Sequence, residues 1–139
     1  GEVMSKREKQ LKRLANVNEF IPIIASMGRR FFNYTPDEGL ERCAWMYLDN
    51  HGHVYFVDEY SEKRIYTHYS GRWKGFTNGG TLKSFVELFR DHIKRGTKLH
   101  RRYFDTESVF PCPWGYPEEC YQKLRSAAIR LGIMAPPTN

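Results

Sequence analysis

Long apolar runs are missing from this sequence, and none approaches the roughly 18–20 residues that a membrane-spanning helix needs. Nor do the first residues combine charge with an apolar stretch and a small-residue cleavage site, so no secretory leader is expected. Met4 reads as a natural start, which makes Gly1–Val3 an expected cloning remnant. Cysteine is scarce. Cys43, Cys112 and Cys120 make neither an even disulfide framework nor a metal-binding spacing, so they are expected as reduced thiols in the cytoplasm. An internal repeat is absent, and so is the glycine–lysine spacing of a nucleotide-binding P-loop.

Acidic residues are outnumbered. The 139 residues carry 22 Lys and Arg against 16 Asp and Glu, a formal charge of +6. That balance favours a polyanionic partner, nucleic acid first and an acidic protein surface second. Hydrophobic residues make up 40% and aromatics 15% of the chain, enough for a modest core in one domain. Between Lys63 and Arg102 eleven Lys and Arg face only Glu87 and Asp91, so this stretch alone exceeds the charge of the whole chain.

Taken in order, Ser5 and Glu8 form a capping box ahead of a short basic helix or arm, residues 1–17. A solvated, fraying terminus explains that segment as well as a phosphate-gripping arm does. Asn18 is expected to cap a second helix with Phe20, Ile23, Ile24 and Met27 on one face, Pro22 near its start and Gly28 at its end. Residues 29–34 read as a strand. Strict alternation from Leu40 to Asp49 predicts another, with Ala44, Met46 and Leu48 on one face and Cys43, Trp45 and Tyr47 on the other. Asn50-His51-Gly52 turns the chain into a strand over 53–58, and 63–69 makes a third member of the meander. Thr81 opens a helix with the stripe Leu82, Phe85, Val86, Phe89 and Ile93, which Gly96 stops. After an irregular stretch, a last helix starts at Pro117 and buries Tyr121, Leu124, Ala128 and Leu131. The expected fold is α+β: a three- to four-stranded antiparallel meander packed against N-terminal, central and C-terminal helices, one domain over 18–135 with a tail at 136–139.

Three groups of residues suggest chemistry. In the first, Gly79 and Gly80 lead into Thr81, Lys83 and Ser84, where free N–H groups at a helix start favour an anion; simple turn and capping roles explain the same residues. The second is a sheet face on which Trp45, Tyr47, His53, Tyr55, Tyr66 and His68 fall together with Arg64. Exposed, such rings stack on bases; large rings are usually buried for their area, so this face is expected to be core or helix-covered. The loop pair Trp73 and Phe76, flanked by Arg72 and Lys74, is the more persuasive aromatic element. The third group is the run Arg95, Lys98, His100, Arg101 and Arg102 beyond Lys94, which extends past what a helix C-terminus needs and fits a phosphate-contacting strip.

Catalytic readings are thinner. Asp49, His51 and His53 flank a turn glycine, where turn chemistry competes with a metal site, and Asp58, Glu59 and Lys63 lie around a turn and not along a buried strand. No cofactor is expected. At Gly28-Arg29-Arg30-Phe31-Phe32 and again at residues 57–82 the chain resembles small accessory proteins of bacteriophages and prophages, over about residues 18–96. That resemblance implies a cytoplasmic protein of an infected or lysogenic bacterium and carries no mechanism with it. Three strands followed by a helix is also the order of integrase arm-binding domains and, after the first helix, of double-stranded-RNA-binding domains, an analogy of topology alone. The expected function is accessory nucleic-acid binding without catalysis. The alternatives are a module that docks on an acidic host protein and a small metal-dependent nuclease or hydrolase.

Overall fold

A computed structural model describes residues 3–28, 32–34, 42–58, 64–68, 81–104 and 117–137. The elements run α1 (Lys6–Gly28), β1 (Asn33–Tyr34), β2 (Arg42–Cys43), β3 (Trp45–Leu48), β4 (Val54–Val57), β5 (Arg64–Tyr66), α2 (Thr81–Arg95), a 3-10 helix (Arg101–Phe104) and α3 (Glu118–Arg130). The fold is α+β, as the alternation and helix stripes predict. β3, β4 and β5 form an antiparallel meander, and β1 pairs with β2 beside it. The strand expected across 40–49 is broken at Ala44, whose N–H donates to Phe32 O at 3.0 Å while β2 and β3 join different sheets.

The sheet's inner face is read off its register. Met46 stands opposite Phe56, Phe56 opposite Ile65, and Leu48 opposite Val54, all buried. Against them pack Val17, Phe20, Ile21 and Ile24 of α1, and Phe85, Val86, Phe89 and Ile93 of α2. Tyr121, Leu124 and Ala128 of α3 close the core against α1. Phenylalanine rings bind these layers together: Phe20 lies 5.6 Å from Phe104 and 6.1 Å from Phe89, edge-on in both cases. Phe32 sits 6.1–6.4 Å from Phe56, Phe85 and Phe89. Its backbone takes φ 66°, a conformation that side chains rarely adopt and that this aromatic packing holds in place.

The N-terminus departs from expectation. Residues anticipated as a basic helix and a separate capped helix form one continuous α1, with Pro22 inside it. Ser5 does cap it, accepting the Glu8 N–H at 3.1 Å. Asn18 caps nothing. From mid-helix its side-chain Nδ2 donates to Met46 O at 2.9 Å, and its Oδ1 accepts Met46 N–H at 2.7 Å. An asparagine amide offers the same donor and acceptor as a peptide group, so it pairs with the open edge of β3 as another strand would. The cap signal and this edge-pairing role use the same chemistry, which is why sequence position alone misplaces the residue.

Gly96 ends α2 as expected: φ is +79°, and its N–H donates to His92 O at 2.8 Å. Thr81 is the first residue of α2. α3 begins after Pro117, with Glu118 and Glu119 in its first turn. Leu99 then bridges in parallel to Met134, which ties the segment after α2 to the chain beyond α3.

Candidate nucleic-acid interface

On the outer face of the meander the period-two pattern lays side chains in cross-strand rows. One row is Trp45, Val57 and Arg64; the next is Tyr47, Tyr55 and Tyr66. Beyond it come Asp49, His53 and His68 at the turn end. The rings touch their neighbours throughout. Trp45–Tyr47 and Tyr47–Tyr55 centroids are 6.1 Å apart, Tyr55–Tyr66 and His53–Tyr66 5.6 Å, and Tyr66–His68 5.2 Å. The Arg64 guanidinium lies 4.4 Å from the Tyr47 ring centre.

This face was expected to be core or helix-covered. It is neither. The helices take the Met46–Phe56–Ile65 side, leaving Trp45 43% exposed, Arg64 and His68 exposed, and Tyr47, Tyr55 and Tyr66 half-buried. Rings at this density shield one another's edges, which lets a row of aromatics persist at a surface without helix cover.

The turn end of this face meets basic residues of α1 and α2. Arg7 Nη1 donates to Asp49 O at 2.6 Å and Lys94 Nζ to Gly52 O at 2.5 Å, so α1 and α2 both hold the β3–β4 turn. Gln10 Nε2 donates to Lys94 O at 3.2 Å, Arg13 Nε to Ile93 O at 3.0 Å and Arg13 Nη2 to Lys94 O at 3.3 Å. These bonds satisfy carbonyls left open at the C-terminus of α2 and set a cation against its negative end. The basic segment of α1 is therefore docked, not frayed. It brings Lys6, Arg7, Lys9, Lys12 and Arg13 to the same end as Lys94 and Arg95, against the acids Glu8, Asp49 and Asp91. Lys6, Lys9, Lys12 and Arg95 are exposed. Two basic runs far apart in sequence become one electropositive end.

Local charge and burial set the protonation of several groups here. Asp49 is held below the usual carboxylate range, first by the His53 backbone N–H, which donates to Oδ1 at 2.8 Å, and also by that of His51 at 2.9 Å. That is turn chemistry, and among the described residues no group of three or more His, Cys, Asp or Glu is placed to hold a metal ion. Desolvation, then the charge of Asp49, pushes the Tyr55 hydroxyl up. Partial desolvation, followed by the charges of Arg90 and Lys94, pushes His68 down, and its Nε2 accepts the Val54 N–H at 3.3 Å.

Of the residues singled out from sequence, Arg72, Trp73, Lys74, Phe76, Gly79 and Gly80 lie outside the described residues, as do Glu59 and Lys63. Arg64 is on the aromatic face. Lys83 and Arg95 occupy the first and last turns of α2, about 18 Å apart at the helical rise, so they do not share one site. Arg95 pairs with Asp91 at 3.4 Å. Lys98 Nζ donates to Gly132 O, while exposed Arg101 and Arg102 stand in the 3-10 helix. Lys98, His100 and Arg101 line a groove of about 810 Å³ with Arg125 and Ile129 of α3 and Met134. The aromatic alternation is legible in the sequence; the exposure of that face is not. No local pattern signals the docking of α1 on α2, a contact spanning some 80 residues.

No helix among the described residues is long and apolar enough to cross a membrane. A family model described as YoqU matches residues 7–137. The SPbeta prophage-derived uncharacterized protein YoqU of Bacillus subtilis (strain 168) is 29% identical over 129 residues, which cover 91% of this chain and 86% of that protein. No solved structure matches the chain. The expected likeness to phage and prophage proteins is borne out, and it extends well beyond residues 18–96.

Proposed function

The chain belongs to the YoqU family, and we propose that it is an accessory protein that binds nucleic acid. The observation that supports this reading is the continuity of the aromatic sheet face with the basic end, joined through the turn that Arg7 and Lys94 hold. Exposed Trp45 and the half-buried tyrosine rings give bases a surface to stack on, and Lys6, Lys9, Lys12 and Arg95 give phosphates their counter-charge. The run Lys98, Arg101 and Arg102 would extend that charge past α2. The host cytoplasm is the compartment in which such a partner is met.

Fluorescence anisotropy of labelled oligonucleotides across a salt series tests it. Affinity should fall linearly in log–log form as salt rises. Replacing Lys9, Lys12 and Arg95 by Gln should flatten the slope by roughly one for each phosphate no longer neutralised. Absence of binding at low salt, or a slope that the triple variant leaves unchanged, refutes the reading. Exposed Trp45 among tyrosines and Arg64 equally suits a protein interface. In that case a stoichiometric protein partner survives nuclease treatment of a bacterial lysate and oligonucleotides fail to bind.

A further inference from the structure

We infer that the nucleic acid recognised by this face is single-stranded, an inference that rests on the reading just given. Three observations carry it. Along one strand of a duplex, bases follow one another at about 3.4 Å, so every base face is already covered by its neighbour. The row Tyr47, Tyr55, Tyr66 spaces its rings at 5.6–6.1 Å, and no two of them match a stacked pair of bases. Successive rows are two residues apart along each strand, roughly 6.6 Å. A duplex laid on this surface would touch it only through sugars and phosphates, and the exposed ring area would go unused.

Unpaired bases reverse that account. Each has two free π-faces, and a splayed strand adapts its spacing to the rings it meets. The charge pattern agrees. Over the rings the described cation is Arg64, with the carboxylate of Asp49 at the turn end, whereas the exposed lysines lie beyond the turn on α1. Neutral bases therefore suit the sheet and phosphates suit the basic end. A strand would meet the charge of α1 at one end, pass the β3–β4 turn, and lay bases on Tyr66 and Tyr55 toward Trp45, with Tyr47 already covered by Arg64.

The experiment compares one labelled mixed-sequence oligonucleotide, alone and annealed to its complement, against the full chain and four variants whose folding is checked by circular dichroism. The single strand should bind about ten-fold or more tightly than the duplex. Trp45→Ala and Tyr66→Ala should each weaken single-strand binding about ten-fold and leave the residual duplex binding unchanged. Tyr66→Phe, which keeps the ring, should bind the single strand like the parent. Lys9→Gln combined with Lys12→Gln should weaken both ligands. Duplex binding equal to or tighter than single-strand binding overturns this inference and leaves nucleic-acid binding standing. So does equal weakening of both ligands by the ring deletions. Failure of both ligands to bind overturns this inference together with the reading beneath it.

Discussion

Replacing Asn18 should cost more than its place on a polar-looking helix suggests. Its amide makes two bonds to Met46, at 2.9 and 2.7 Å, and both are part-buried. Asn18→Ala removes the donor and the acceptor and leaves the Met46 N–H and C=O to compete for whatever water reaches the edge of β3. At about 1 kcal/mol net for each bond, plus partial desolvation of the orphaned groups, the loss should be about 2–3 kcal/mol. For a chain of 139 residues that is a fall in melting temperature of very roughly 7–10 °C. Asn18→Asp separates the two bonds. The carboxylate still accepts the Met46 N–H but sets a second charged oxygen against Met46 O, so at neutral pH it should be no better than alanine. Protonation restores a donor, so the stability of Asn18→Asp relative to Asn18→Ala should improve as the pH falls toward 4. Urea denaturation of the three proteins at two pH values measures this. A loss below about 0.5 kcal/mol for Asn18→Ala, within the range of ordinary surface substitutions, would refute the edge-pairing account.

Further expectations concern the core and the acid response. Phe104→Ala should destabilise by about 3–5 kcal/mol, since the ring is fully buried against Phe20 and Phe85; a denaturation midpoint near the parent's would contradict that placement. His92 is buried, its Nδ1 lies 3.0 Å from Thr97 O, its Nε2 has no partner, and burial holds it below the ordinary value of 6.5. The unfolded chain therefore binds a proton that the folded one resists. The stability that comes from a neutral His92 is complete above pH 6.5 and declines as the pH falls below it. Urea midpoints between pH 7.5 and 5 should fall more steeply for the parent than for His92→Asn, which can keep a donor toward Thr97 and does not titrate. Parallel curves would show that His92 is not the group responsible.

How much of this was legible beforehand depended on the range of the interactions. The helix stripe from Phe85 to Ile93, the stop at Gly96, the start of α3 at Pro117 and the alternation through Ala44, Met46 and Leu48 are local patterns, and each appears where periodicity places it. The break at Ala44 was not visible because the partner that diverts the chain is Phe32, in another segment. Asn18 was misassigned because its cap chemistry and its partnership with β3 are the same chemistry. Phe104 lies between Gly96 and Pro111, in a segment with no period to read, yet it is core.

The candidate interface was legible in its parts and not in their arrangement. Alternation grouped the rings correctly, but whether a face is inside or outside depends on which side the helices choose, and the apolar Met46–Phe56–Ile65 row decided that. The charge of the N-terminal segment was plain from sequence. That Arg7, Gln10 and Arg13 would carry it to the end of α2 and to the β3–β4 turn was not.

Chemical-shift mapping of the isotope-labelled full chain during titration with a single-stranded oligonucleotide tests the central claim most directly. The account predicts concentrated shifts at Trp45, Tyr47, His53, Tyr55, Arg64 and Tyr66 and along Lys6–Lys12 of α1, with the groove formed by Arg101, Arg125 and Ile129 largely unmoved. Shifts confined to that groove, with the aromatic face silent, would contradict it.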